Sequence, residues 1–178
     1  INGSSGGAIT PPEDYWQAAH KILQRHGILL IMDEVMTGFG RTGVAFGSQL
    51  YDVAPDLMVA GKGLAGGYAA IAGVFGREDI ANAISESGFN VMFHTFGALP
   101  QSCAAATAVL KILREENLVQ RAGVIGQKTL ERLKGTFGQH PNVAEIRGAG
   151  MLIGIEIVRD RDSLERFDEN ARVTDHLT

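Results

Sequence analysis

The sequence predicts an α/β fold built on a mostly parallel sheet, and four apolar segments indicate it. Residues 15–26 have apolar positions at helical spacing, and Gly27 follows as a stop signal. The next run, 28–32, is apolar without alternation, which is typical of a strand that helices cover on both faces of a parallel sheet. Further strands are predicted at 56–60 and 71–75. A helix that leads by a short turn into such a strand indicates an α/β layer architecture.

Helices are also predicted at both ends of this layer. Thr10 begins a capping box with proline in the first turn, which places the start of the first helix at residues 10–13. Another helix begins near Pro100, and one more extends from Leu118 to the glycines at 135–138.

The pattern changes beyond Pro141. Residues 151–158 alternate weakly, as a strand of a smaller unit does, and 159–172 is dense in charge. We therefore expect residues 1–135 to form the later part of a large domain and residues 136–178 to begin a smaller one.

Composition excludes several classes of protein. A hydrophobic share of 45% is ordinary for a folded domain, and a net charge of -4 provides no basic surface for nucleic acid or an anionic membrane. No apolar run reaches the length of a membrane span. The single Cys103 excludes an internal disulfide and is consistent with a reducing, cytoplasmic compartment, and its small neighbours predict a buried thiol. The chain begins with Ile1 and a Gly/Ser loop, so we expect it to be part of a longer protein.

Two glycine runs, GFGRTG at 38–43 and GKGLAG at 61–66, raise the alternative of a dinucleotide-binding module. That fold requires the run to open a helix directly after a strand, with an acidic residue about twenty residues later. The residues after Gly43 do not resemble a helix, and the chain after Gly66 enters another predicted strand. The pattern therefore argues against a dinucleotide site.

A carboxylate and a lysine follow neighbouring predicted strands. Asp33 comes directly after the first strand, and Lys62 follows the second between Gly61 and Gly63. Ligands of open α/β sheets collect at the carboxyl ends of the strands. An amine there can form a Schiff base with an aldehyde cofactor, and a carboxylate can keep a ring nitrogen protonated. The structural alternative is that Asp33 caps a turn and Lys62 is a solvated loop lysine.

The sequence around these two residues resembles the class III pyridoxal-phosphate aminotransferases, which include the omega-amino-acid transaminases. The segments that carry the resemblance are DEVMTGFGRTG at 33–43, PDLM at 55–58 with GKGLAGGY at 61–68, HTF at 94–96 and RGAGMLIG at 147–154. They occur in the family's order between about Gly6 and Val158. The resemblance implies the large domain of a fold-type-I transferase for residues 1–135, and the start of its α+β C-terminal small domain for the rest.

The resemblance also implies roles for individual residues. Lys62 binds the aldehyde of pyridoxal 5'-phosphate, Asp33 holds the ring nitrogen and Val35 packs on the ring face. Thr95 binds the cofactor phosphate of the neighbouring subunit, which implies a homodimer. We expect Arg41 to stabilise the glycine loop, through Glu34, and to have no catalytic role.

The implied reaction moves an amino group from an amine or amino acid to a keto acid. An aminomutase or decarboxylase with the same cofactor is the alternative that the sequence leaves open. Many relatives have Gln where Met36 stands, and that Gln contacts the ring hydroxyl, so the donor and acceptor stay undetermined. The family's phosphate-gripping loop, ring-stacking aromatic residue and carboxylate-binding arginine have no counterpart in residues 1–178. We therefore expect the chain to be inactive by itself.

Overall fold

A computed structural model describes residues 7–88 and 94–176 of the chain. Its helices and strands are, in chain order, α1 (Tyr15–Arg25), β1 (Ile31–Asp33), β2 (Leu57–Ala60), β3 (Gly73–Gly76), α2 (Glu78–Glu86), α3 (Pro100–Glu115), α4 (Leu118–Phe137), β4 (Val143–Ala149) and β5 (Leu152–Ile157). Short 3-10 turns occupy Gly47–Tyr51, Lys62–Leu64, Glu169–Ala171 and Val173–His176. The predicted α/β class is confirmed. Within these described ranges, no helix has both the length and the apolar character needed to cross a membrane.

Strands β1, β2 and β3 form one sheet in that order. β1 and β2 are parallel, as predicted, with Asp33 beside Val59. β3 begins later than expected and is antiparallel to β2, so the sheet is mixed here rather than mostly parallel. The physical reason is the connection: a parallel return requires a crossover, usually an α-helix, and residues 61–72 contain none.

Burial alternates along β1, which differs from the expected strand covered on both faces. Leu30 and Met32 are buried with Val53 against Trp16 of α1, whereas Ile31 is 62% exposed. The strand also begins at residue 31 instead of 28. One face of this strand is therefore packed, and the other is bare in this chain.

The predicted start of the first helix is wrong, although its end is confirmed. No side chain caps α1, whose N-cap is Asp14, and Tyr15 N donates to Pro12 O at 3.2 Å. The two prolines explain the shift, because a residue before proline is displaced from helical geometry. Gly27 has a φ of +62°, the left-handed conformation that commonly ends a helix.

The expectation of a buried thiol at Cys103 is also wrong. Ser102 and Ala106 form the buried face of α3, which packs on Leu64 and Ala65. Cys103 lies on a different face and is exposed. Small neighbours predicted a close helix contact correctly but did not determine which side of the helix makes it.

Strands β4 and β5 form an antiparallel hairpin that contacts α4. The largely buried Arg147 side chain pairs with Glu156 and Glu145 and donates to Gly7 O at 3.1 Å. Its hydrogen bonds to Glu156 and Glu145 raise the pKa of Arg147 above the ordinary value. The expected domain boundary after residue 135 falls within the last turn of α4, and the division into two domains stays a prediction.

Candidate active site

The chain leaves β1 through Glu34, whose polar atoms connect three segments. Its backbone N–H donates to Val59 O of β2 at 2.7 Å. Its carboxylate is 2% exposed and accepts hydrogen bonds from Ser48 N at 2.7 Å, Gly47 N at 2.8 Å and the Thr37 hydroxyl. A buried carboxylate is costly unless it is hydrogen-bonded, and these donors meet that requirement. Glu34 thus ties the end of β1 to the adjacent strand and to the turn at 47–48.

These contacts correct the expected link between Arg41 and Glu34. The Glu34 carboxylate is satisfied without a cation, and the Arg41 side chain is exposed. Arg41 does stabilise the loop by its backbone, because its carbonyl accepts a hydrogen bond from Met151 N at 2.8 Å. The loop is therefore held by Arg41 O rather than by its guanidinium.

Asp33 combines a structural contact with a free oxygen. Its Oδ1 accepts a hydrogen bond from Val35 N at 2.9 Å, so the carboxylate does cap the turn after β1. Among the described residues no group donates to its Oδ2. The side chain is exposed, so a ligand can reach this second oxygen.

Lys62 begins the 3-10 turn that follows β2, with a φ of +39°. A positive φ is uncommon outside glycine, and such conformations concentrate at functional sites. Leu64 N donates to Gly61 O at 2.9 Å and closes the turn. A Cβ at Gly63 would lie 3.1 Å from Phe39 Cβ. The small residue at 63 therefore permits close packing of the turn against Phe39 of the glycine loop.

Lys62 opens into a cavity of about 600 Å³. Small-molecule sites generally have volumes of about 300–1,000 Å³, so this space suits a cofactor. The Lys62 amine contacts the sulfur of Met36. The side of the cavity formed by the loop after β1 and by the hairpin is lined by Val35, Met36, Arg41, Met151 and Leu152.

The four predicted site residues are only partly brought together. Val35 and Lys62 line the same cavity. Asp33 lies on the neighbouring strand end and lines a smaller cavity of about 110 Å³ beside Trp16. Thr95 is exposed on the turn before α3 and is not among the residues that line the Lys62 cavity.

Glycines hold the loop at 38–43 against α4 and the hairpin. A Cβ on Gly43 would lie 2.7 Å from Gly123 Cα, and one on Gly126 would lie 2.0 Å from Gly150 O. A Cβ on Gly150, which has a φ of +54°, would lie 2.3 Å from the Thr42 carbonyl carbon. The sequence contains a signal for this close contact between the loop, α4 and the hairpin, because Gly123 and Gly126 are spaced to share one face of a helix.

The glycine runs do not form a dinucleotide site. The loop at 38–43 is followed by the 3-10 turn Gly47–Tyr51, and the run at 61–66 contains the 3-10 turn Lys62–Leu64 before an antiparallel strand. Neither run opens the α-helix whose N-terminus would hold a pyrophosphate. The dinucleotide alternative is therefore rejected.

Comparison with known proteins decides the family. The family model described as "Aminotransferase class-III" matches residues 2–174. The chain belongs to the class III aminotransferases. It is 39% identical to the putrescine–pyruvate aminotransferase of Pseudomonas aeruginosa over 93% of this chain and 36% of that protein. It is 41% identical to the alanine/serine racemase of Pyrococcus horikoshii over 90% of this chain and 32% of that protein.

A solved structure leads to the same family. An amine transaminase from an uncultivated Pseudomonas species, in its pyridoxal-phosphate-bound form, superposes with a TM-score of 0.91 at 38% identity. The match covers 97% of this chain and 39% of that one. The class III fold and its dependence on pyridoxal phosphate, both implied by the resemblance, are confirmed. The chain spans between 32% and 39% of the length of these relatives.

Proposed function

We propose that the chain forms part of an aminotransferase that moves an amino group from an amine or amino acid to a keto acid. The supporting observation is the cavity that Lys62 and Val35 both line, together with the free oxygen of Asp33 at the neighbouring strand end, in a class III chain. A covalent anchor, a ring-packing side chain and an acceptor for a protonated ring nitrogen are the groups that pyridoxal phosphate requires. The residues present therefore fit this cofactor.

When bound, pyridoxal phosphate supplies an aldehyde for covalent attachment and a ring that accepts electrons from the reacting carbon. Asp33 Oδ2 would accept a hydrogen bond from the ring nitrogen, while Oδ1 remains on Val35 N, and Val35 would pack against the ring. Lys62 would hold the aldehyde, and its amine, when free, would move the proton at the substrate carbon.

The partners are a second copy of the chain and small substrates. Thr95 is exposed on the turn before α3 and does not line the Lys62 cavity of its own subunit. That position supports a role toward the cofactor phosphate of a neighbouring subunit, and hence a homodimer. The single exposed thiol supports a cytoplasmic location, where thiols are kept reduced.

Racemisation is the second candidate, because one relative is an alanine/serine racemase. Both reactions require Lys62 to move a proton at the substrate carbon, so the site residues are the same. They differ in whether the amino group leaves the substrate carbon or stays on it while that carbon regains its proton on the opposite face. Putrescine is the first donor to test, because a relative is named for its use with pyruvate.

A single assay separates these reactions in the natural full-length protein that contains this chain. The protein is supplied with pyridoxal phosphate and either putrescine plus pyruvate or L-alanine alone. Transfer predicts alanine formation from pyruvate in the first mixture, and racemisation predicts D-alanine in the second. Lys62→Ala should abolish either product, whereas Lys111→Ala, an exposed helix lysine, serves as the control. Product formation that survives Lys62→Ala would contradict the proposal.

A further inference from the structure

The contact between Met36 and Lys62 has a chemical consequence beyond amino-group transfer. The Met36 sulfur contacts the Lys62 amine, and it is the one hydrogen-bond partner of that amine among the residues that the structure describes. Met36 is half-buried and lines the cavity, so small polar molecules that enter the cavity reach its sulfur. A thioether is a weak acceptor and leaves the amine available for reaction.

We propose that Met36 is an oxidation site that controls the reactivity of Lys62. A peroxide transfers one oxygen atom to the sulfur, which loses two electrons and becomes a sulfoxide, while the peroxide is reduced to water or an alcohol. The inference rests on the proposed function only in assuming that Lys62 is the reacting lysine.

The sulfoxide changes what the lysine contacts. A thioether is apolar and flexible, whereas a sulfoxide is polar and presents a strong acceptor oxygen. That oxygen, attached to the atom already in contact with Lys62, accepts a hydrogen bond from the protonated amine. A hydrogen bond to a charged group is stronger than one between neutral groups, so the sulfoxide stabilises the protonated amine, which does not react with an aldehyde. Lys62 then reacts more slowly with an aldehyde.

The chain contains a matched control at Met151. Met151 also lines the cavity, and it is 43% exposed, so an oxidant reaches it as well. The structure shows no hydrogen bond between the Met151 side chain and Lys62. Oxidation of Met151 changes the polarity of the cavity without adding an acceptor at the amine, which separates a general effect from a specific one.

The experiment measures Lys62 reactivity in the full-length protein that contains this chain, freed of cofactor beforehand. All proteins carry Cys103→Ser, because the exposed thiol would also react with the oxidant. The protein with the otherwise unaltered chain and its Met36→Leu and Met151→Leu variants are treated with hydrogen peroxide until Met36 and Met151, where present, are sulfoxides by mass spectrometry. Each protein is then methylated with formaldehyde and cyanoborohydride, and modification of Lys62 is quantified relative to Lys111 and Lys128.

Peroxide should lower Lys62 methylation on the order of tenfold in the chain and in Met151→Leu, but not in Met36→Leu. Leu for Met is close to volume-conserving, and circular dichroism verifies that Met36→Leu folds. Reduction by methionine sulfoxide reductases should restore Lys62 methylation in the chain. This reversal tests the inference without a substitution at Met36. Unchanged Lys62 methylation after full conversion of Met36, or an equal loss in Met36→Leu, would overturn the inference. Because no pyridoxal phosphate is used, these outcomes are independent of the transaminase assay.

Discussion

At the scale of residues, a buried structural residue at the end of β1 lies between two candidate site residues. Glu34 is buried and turned toward Ser48 and Gly47, whereas Asp33 is exposed and Val35 lines the Lys62 cavity. The buried carboxylate holds the backbone on which its two neighbours depend. Val35 thus faces the Lys62 cavity, whereas Asp33 and Glu34 both line the smaller cavity beside Trp16.

Asp33→Asn should reduce turnover more than it reduces cofactor binding. Asn keeps the shape and the hydrogen bond to Val35 N but no longer stabilises a protonated ring nitrogen. A charged hydrogen bond contributes about 1.5–3 kcal/mol, which corresponds to about tenfold to a hundredfold in rate. The measurement compares kcat with the Kd for pyridoxal phosphate in the full-length protein. Asp52→Asn is the control, because Asp52 is exposed and its left-handed backbone tolerates Asn. Turnover near that of the control would identify Asp33 as a turn cap only.

Glu34→Gln should lower the free energy of unfolding of the chain by about 1–3 kcal/mol. Every group that approaches the Glu34 carboxylate is a donor, so the amide N–H₂ of Gln must face a donor in a buried site. Urea unfolding measures the change. The exposed Glu13→Gln is the matched control and should leave the midpoint unaltered. Equal midpoints for the two variants would mean that the Glu34 carboxylate does not stabilise the end of β1.

At the scale of elements, glycines connect the loop after β1 to α4 and the hairpin. Gly150 approaches Thr42 and Gly43, and Gly126 approaches Gly150 O, at distances that leave no space for a Cβ. Met151 N completes the joint by its hydrogen bond to Arg41 O. Because Met151 and the loop both line the Lys62 cavity, this joint determines the shape of the site.

Two Gly→Ala substitutions should change stability in opposite directions. Gly150→Ala adds a Cβ 2.3 Å from a backbone carbon at a positive φ, so it should destabilise the chain by about 2 kcal/mol or more. Gly135→Ala lies in the exposed part of α4 with no atom within 4 Å, and should stabilise it by about 0.5–1 kcal/mol. Thermal or urea unfolding of both variants tests the pair. A neutral Gly150→Ala would show that the loop and the hairpin separate easily.

The elements differ in how well the sequence predicts them. α3 and α4 were predicted because both are long and periodic, with Pro100 at one start and glycines at the other end. α2 was missed because it has only 9 residues, too few for a clear period. β4 was missed because Glu145 and Arg147 interrupt its apolar pattern while pairing with each other. The direction of β3 depends on the connection before it, which local patterns do not encode.

The candidate site was likewise predicted only in part. Strand ends predicted where Asp33 and Lys62 stand, and the family resemblance supplied their roles, which stay predictions. Neither source predicted the contact between Met36 and Lys62 or the donors around Glu34. Those depend on where side chains turn after the strands end, and the wrong pairing of Arg41 with Glu34 is the clearest example. Charge complementarity suggested a cation, whereas backbone amides from the turn at 47–48 satisfy the carboxylate.

At the scale of the whole molecule, the chain exposes much apolar surface around the sheet and the loops. The exposed fraction is 62% for Ile31, 67% for Val74, 78% for Phe96 and 85% for Tyr68. Large apolar side chains exposed to this extent indicate surfaces that are covered in an assembly. This observation agrees with the proposed homodimer, and with relatives of which the chain spans a little over a third.

The 178-residue chain by itself should show no transaminase turnover that depends on Lys62. Productive transfer requires the cofactor to lie within about one ångström of its reacting pose. A misplacement of about one ångström lowers the rate on the order of a hundredfold. Alanine formation from putrescine and pyruvate is measured for the chain and for its Lys62→Ala variant. The Pseudomonas aeruginosa relative serves as the positive control. Lys62-dependent turnover that approaches the relative's would contradict this expectation.

The most direct test of the account is the position of the covalent cofactor. The full-length protein that contains this chain is incubated with pyridoxal phosphate, reduced with borohydride and digested, and the peptide that carries the cofactor is identified by mass spectrometry. One dominant adduct is expected, on the peptide with Lys62. A dominant adduct on Lys21, Lys111, Lys128 or Lys134, with Lys62 unmodified, would contradict it.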